Sequence, residues 1–204
     1  SRVLQIQTLL RLGRAAEADE AVEDLARLYP DSLETQELRI AASLRRARNA
    51  RNERELLRNA IDAQHKINQM RLKALGDSRT PDAIVARTLL LITEGQASAS
   101  INDLLQLTER EPSNPRYINL LAYAYLQAGR LRDVLVITNT AARRGVANDY
   151  TYAIRGLAAA LLNDTREQER AFEEARKIDK ESRPLLAAQA NLAMLGRRAT
   201  TVGR

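Results

Sequence analysis

The chain has 204 residues, 45% of them hydrophobic and 28% charged, which is long enough to bury a sizeable core and too balanced for global disorder. It carries a net charge of +6 and no cysteine, which excludes disulfides, thiolate metal sites and cysteine nucleophiles. No run approaches the roughly eighteen apolar residues of a spanning helix, so no membrane span is expected.

Aromatic residues make up only 3% of the chain, and there is no Trp. Ala and Leu carry the apolar content, and both favour helix. Eight Gly and five Pro are too few for an all-β chain full of turns. Lys and Arg together number 32, yet only Lys66, Lys73, Lys177 and Lys180 are lysines. Arginine suits planar, bidentate partners; a codon bias toward Arg explains the same excess. The first residue is Ser1 rather than Met, which fits a processed form or an excised segment, and no signal peptide is recognised.

In chain order, Leu9, Leu12 and Gly13 precede a helix through Ala18, Val22 and Leu25 that Tyr29-Pro30 closes, a first repeat over residues 1–32. Residues 33–80 fit no single period: a helix is expected near 33–48 and an unusually long one near 52–75. Leu56, Ala60, Ala63, Ile67, Met70 and Ala74 alternate spacings of four and three along the long helix, a narrow heptad seam. An overlong hairpin packing on its neighbours is the preferred meaning, and a homodimer through residues 52–75 is the alternative.

Thr80-Pro81-Asp82 then opens a helix with a cap, a first-turn proline and an acid against the dipole. Gly95 breaks it, a second helix is expected from Ala97 to Arg110, and Pro112 stops it. Asn114-Pro115 opens the next hairpin and Gly129 breaks it. A third begins near Asp149, turns at Asn163-Asp164 and ends near Asp179. Ser182-Arg183-Pro184 opens a last helix. Gly95, Gly129 and Asn163 stand 34 residues apart, as do Pro81, Pro115, Asp149 and Arg183. The expected regular repeats are therefore 81–114, 115–148 and 149–182, followed by a closing helix and tail over 183–204. A fixed period of this size predicts stacked helical hairpins, here in one domain over 1–204.

The residues at fixed places in these repeats resemble the tetratricopeptide repeat family, in the degenerate form found in bacterial scaffold proteins. The first repeat supplies Ile6, Leu9, Gly13, Ala18, Val22, Leu25 and Pro30. The repeat from Pro81 supplies Ile84, Leu91, Gly95, Ser100, Leu104, Leu107 and Pro112. The repeat from Pro115 supplies Ile118, Leu121, Ala122, Tyr125, Gly129, Val134 and Ala141, and that from Asp149 supplies Tyr152, Gly156, Ala159, Phe172 and Ala175. Ala122 and Gly156 are small, which lets paired helices approach closely. Arg87 and Arg155 stand where the pattern has Leu, and Gln168 and Thr138 depart from it as well. The resemblance implies an all-α, right-handed superhelical solenoid of antiparallel helix hairpins.

Catalytic chemistry is nearly absent from the sequence. His65 is the only histidine, so histidine pairs and histidine-rich metal sites are excluded. No phosphate-binding glycine loop and no nucleophile elbow occur. Glu17, Asp19, Glu20, Glu23 and Asp24 cluster at a helix start, where they offset the dipole and pair with nearby Arg. No cofactor and no metal are expected, and the protein is read as a non-enzyme.

In the family's superhelices the first helix of each hairpin lines the concave groove. The resemblance places Asp82, Val85 and Leu89 there, then Arg116, Asn119, Tyr123 and Gln127, then Tyr150, Ala153 and Leu157, then Ala187 and Asn191. The partner-binding residues expected are Val85, Leu89, Arg116, Asn119, Tyr123, Gln127, Tyr150, Leu157 and Asn191. Tyr123 and Tyr150 offer large contact area with a hydroxyl, and Asn119 and Asn191 could grip a peptide backbone. Tyr125 and Tyr152 are assigned to packing. The places that grip a chaperone's acidic C-terminus in one branch of the family hold Val85, Leu89, Leu120, Tyr150 and Ile154, so an apolar extended segment or amphipathic helix is the expected ligand.

Arg45, Arg46, Arg48, Arg51, Arg54 and Arg58 crowd one helix junction. Nucleic acid is disfavoured as their partner: the stretch has no aromatic for base stacking, and Glu53 and Glu55 interrupt it. The preferred function is a protein–protein interaction scaffold that holds a protein or peptide segment in its groove, in a bacterial envelope assembly system for pili, secretion or polysaccharide export. The periplasm or the cytoplasm is the compartment. The alternatives are a regulator binding peptide or nucleic acid through the groove or the Arg-rich face, and an accessory domain of a longer export protein or enzyme.

Overall fold

The structure, a computed structural model, describes residues 2–30, 32–47 and 53–202, and for residues 47, 53, 55 and 196–202 the backbone alone. Two compact units divide the chain, residues 1–77 and 78–204. Among the described residues regular structure is entirely helical.

The first unit contains α1 (Arg2–Arg11), α2 (Ala15–Leu28), α3 (Leu33–Ala47) and α4 (Glu53–Leu75). Ile6 and Leu10 of α1, Ala18, Val22 and Leu25 of α2, and Leu38 and Ala42 of α3 form its core. These positions recur every three or four residues, so each helix turns one apolar stripe inward. The heptad seam of α4 is used within the unit: Leu56, Ala60, Ala63 and Ile67 are buried, and α4 packs along α3. Those four side chains are therefore occupied in the single chain. Met70 is half-buried and Ala74 exposed, so the seam ends before its last expected members.

The second unit contains α5 (Pro81–Thr93), a 3-10 turn (Ala97–Ser100) leading into α6 (Ile101–Arg110), α7 (Pro115–Gln127), α8 (Leu131–Arg143), α9 (Asp149–Leu161), α10 (Thr165–Ile178) and α11 (Arg183–Val202). The helix expected from Ala97 starts four residues later because its first turn is tightened: the Ser100 hydroxyl donates to the Ala97 carbonyl at 2.8 Å. Pro81 and Pro115 sit at first-turn positions, capped by the side chains of Thr80 and Asn114. The cap of α9 is Asn148, whose side chain and that of Thr151 form a reciprocal capping box.

Each hairpin turns through a left-handed residue: Gly95 at φ 71°, Gly129 at 72° and Asn163 at 61°. The same two backbone bonds close all three turns. In the second hairpin the Gly129 N–H donates to the Leu126 carbonyl and the Arg130 N–H to that of Tyr125. The helices pair α5 with α6, α7 with α8 and α9 with α10, while α7 also packs on α9 and α9 on α11. Hairpin therefore stacks on hairpin, the first helix of each packing on both helices of the hairpin before it, as α7 does on α5 and α6 and α9 on α7 and α8, the arrangement of a tetratricopeptide-like solenoid. Ile84, Leu104, Leu107, Leu121, Val134 and Ile154 fill one buried cluster. Leu157, Phe172, Ala175, Leu185 and Ala188 fill a second.

Gly156 shows why the repeat needs a small residue there. A Cβ on Gly156 would lie 2.3 Å from Cε1 of Phe172, far inside contact distance. The ring of Phe172 in α10 thus rests directly on the backbone of α9.

Candidate partner-binding site

The stacking of first helices leaves a cleft of about 210 Å³ between α7, α9 and α11. Tyr123 and Leu126 line it from α7, Tyr150, Ala153, Ile154 and Leu157 from α9, and Pro184, Ala187, Ala188 and Asn191 from α11. No lining residue is charged. The only polar atoms its side chains present are two phenol hydroxyls and one amide.

Four residues expected in the groove meet in this cleft: Tyr123, Tyr150, Leu157 and Asn191, with Ala153 and Ala187 beside them. They come from three helices whose starts are 34 residues apart, so each turn of α7, α9 and α11 faces the same way. Tyr123 and Tyr150 are both half-buried. Burial pushes the Tyr150 phenol above its ordinary range, and the neighbouring Tyr123 adds to the shift. The Tyr150 phenol therefore acts as a neutral hydrogen-bonding group at neutral pH.

The remaining expected residues lie elsewhere. Val85 is corrected to a core position: it is 6% exposed within the main cluster of the second unit. Asn119 is also corrected. It is 8% exposed; its Nδ2 donates to Asn148 Oδ1 at 3.0 Å and its Oδ1 accepts from the Thr151 hydroxyl at 2.6 Å. Its amide ties α7 to the cap of α9 rather than facing a ligand. Leu89, Arg116 and Gln127 are exposed but do not line the cleft. The cleft residues missed among the expected binders were Leu126, Ile154, Pro184 and Ala188, whose apolar character in sequence is the same as that of core positions.

Tyr125 is buried, and the Arg130 guanidinium stands 4.7 Å from its ring centroid. Tyr152 is half-buried and packs against the cluster around Phe172.

The arginine-rich junction is partly spent inside the first unit. Arg45 donates to the Leu10 carbonyl and Arg46 pairs with Asp19. Arg54 and Arg58 are exposed, while Arg48 and Arg51 lie outside the described residues. Among the described residues no cluster of three or more acids or histidines could hold a metal, and no helix is long and apolar enough to cross a membrane.

No family model matches the chain, and no curated protein matches it. Several solved structures are similar in course. MamA from MSR-1 is 14% identical, with 86% of this chain and 93% of that one covered and a TM-score of 0.48. MamA from AMB-1 is 13% identical, with 91% and 94% covered and a TM-score of 0.43. PilW, a widely conserved type IV pilus biogenesis factor, is 16% identical, with 92% and 96% covered and a TM-score of 0.47.

Proposed function

We propose that this protein is a non-enzymatic scaffold that holds a segment of another protein in the cleft between α7, α9 and α11. The observation that carries the reading is the lining itself: apolar walls, two phenols and an amide, with no charge. Apolar walls reward an aliphatic or aromatic side chain by about 25 cal/mol for each Å² removed from water. A volume near 210 Å³ is room for one such anchor rather than for a whole helix. Tyr123, Tyr150 and Asn191 can meet the backbone polar groups that flank the anchor. A ligand's terminal carboxylate finds no cation there, so the segment binds through its interior residues and not through a charged end.

The setting proposed is the assembly of a bacterial envelope system, of the pilus, secretion or polysaccharide-export kind. What supports it is the style of the chain, Arg-rich and free of cysteine, with degenerate repeats.

The test is capture of a partner from host extract by wild type and by a Tyr123→Ala, Tyr150→Ala double variant. Loss of the partner in the double variant, by roughly 1–3 kcal/mol of binding free energy, is the expected result. Equal capture by both proteins sinks the cleft as the site.

A further inference from the structure

Between the second helices of two successive hairpins lies a pocket of about 360 Å³. It exists because α8 and α10 each pack on α9 but not on each other. Asn139 and Arg143 line it from α8, Tyr152 and Arg155 from α9, and Arg170 and Glu174 from α10. At roughly 3.6 residues per turn, Tyr152 and Arg155 stand on the side of α9 away from Tyr150, Ala153, Ile154 and Leu157. One helix thus gives one face to the uncharged cleft and the other to this pocket.

The pocket holds more guanidinium donors than the chain answers. Its two acids are both engaged: Glu167 accepts from Arg155, and Glu174 accepts from Lys177 at 2.8 Å. The guanidinium groups of Arg143 and Arg170 make no ion pair and no hydrogen bond among the described residues. The Arg155 side chain is only 13% exposed, yet its Nε–H alone is used; its terminal nitrogens make no hydrogen bond among the described residues. Among those residues the only sealed, unpartnered side-chain atoms belong to Gln36 and Thr88, so the unused nitrogens of Arg155 are open to the pocket. Spare donors therefore reach one space from three helices.

The planar fork of arginine suits carboxylate and phosphate alike. The acids decide between them. Glu167 and Glu174 stand in the same pocket and penalise a second negative charge, which favours a singly charged carboxylate over a phosphate dianion. Tyr152 and Ala171 give the short aliphatic stem of an acidic side chain a surface to lie on. Arg143 and Arg170 are exposed, so solvent screening leaves a lone anion weakly held. A carboxylate carried on a polypeptide adds contacts along α8 and α10. We propose that this pocket receives an Asp or Glu side chain of a partner protein, at a docking surface separate from the cleft. The chain then holds two segments at once, an uncharged one between α7, α9 and α11 and an acidic one between α8 and α10. The two sites share no side chain, so either can fail without the other.

The experiment is a titration of the isotope-labelled full chain, read from the Nε–Hε magnetic resonances of its arginines, which report weak binding. The probe is the tripeptide Ala-Glu-Ala blocked at both ends, with blocked Ala-Gln-Ala as its neutral match. The Glu peptide is expected to move the resonances of Arg143, Arg155 and Arg170 along one saturation curve, and the Gln peptide to leave them in place. The double variant Arg143→Gln, Arg170→Gln, at two exposed positions, is expected to weaken the Glu peptide by up to about tenfold with unchanged helical circular dichroism. Added salt is expected to weaken it as well. Tyr123→Ala, Tyr150→Ala is expected to bind it as wild type does. Resonances that stay in place with the Glu peptide overturn the proposal, as does an equal response to the Gln peptide or undiminished binding by the arginine double variant. Inorganic phosphate or free succinate bound about tenfold more tightly than the Glu peptide would give the pocket to a free anion and overturn the partner side chain as its occupant.

Discussion

Arg155 of α9 donates through Nε to Glu167 of α10, and both side chains are largely buried between the two helices of one hairpin. Two repeats earlier, at the same place in its helix, Arg87 of α5 pairs with Asp103 of α6 at 2.8 Å. Between them Leu121 occupies that place and is fully buried. The two arginines that break the repeat pattern are each answered by an acid across the hairpin.

Removing one partner leaves a charge in a poorly hydrated place. Arg155→Ala is expected to destabilise the second unit by about 2 kcal/mol, with Arg155→Leu, Glu167→Leu recovering most of the loss. Urea unfolding of the three proteins checks this. A single variant as stable as wild type would show the pair to be solvent-screened.

Gly156→Ala pits two effects against each other. Alanine gains about 1 kcal/mol in helix propensity. Its Cβ, however, meets the Phe172 ring at 2.3 Å, and forcing the hairpin apart costs about 1–3 kcal/mol or more. Net destabilisation is expected, with Phe172→Leu in the same chain relieving part of it. Thermal melts of the single and double variants measure the coupling.

The hairpin turns differ in how a side chain is tolerated. Gly129 has φ 72° and open space where a Cβ would stand, so only the backbone resists substitution. Gly129→Val is expected to lose at least about 1 kcal/mol. Asn163 already carries a side chain at φ 61°, and Asn163→Gly is expected to change stability by a few tenths of a kcal/mol at most. Chemical denaturation of both variants gives the comparison, and an unaffected Gly129→Val protein would rule out strain at that turn.

Tyr150 links the cleft to pH. Its folded pKa is raised, first by burial and then by Tyr123, while the unfolded phenol titrates near about 10. The native state then holds this proton more tightly than the unfolded state. The contribution to stability is fully present below about pH 10 and is lost as pH rises toward the folded pKa. Tyr150→Phe is expected to flatten the alkaline end of the stability curve. Tyr125, also raised by burial, retains its own share of the slope. Denaturant midpoints between pH 8 and 11 in the two proteins decide it.

Local signals carried most of the element map. Thr80-Pro81 and Asn114-Pro115 cap and start helices because a side-chain acceptor and a missing N–H both suit a first turn, whatever surrounds them. Gly95 and Gly129 end them because φ near +70° is cheap only for glycine. The site was less legible. Val85, Asn119, Ala153 and Ala187 hold one place in the repeat and Leu89, Tyr123, Leu157 and Asn191 another, yet in each series only some members line the cleft, and Val85 and Asn119 are buried away from it. A periodic pattern tells which way a residue points along its helix; it does not tell what stands opposite.

The sequence by itself determined the helical hairpins, their 34-residue period over the second unit and the absence of cysteine and histidine-pair chemistry. These follow from nearest-neighbour preferences and from composition, which are properties of short stretches of chain. The tertiary structure alone decided that Arg155 finds Glu167, that Asn119 serves the cap of α9, and that the α4 seam is covered by α3. It also decided which side chains close around an uncharged cleft. Each of those depends on groups brought together across helices, and the free energy of a buried polar or apolar group is set by what it touches.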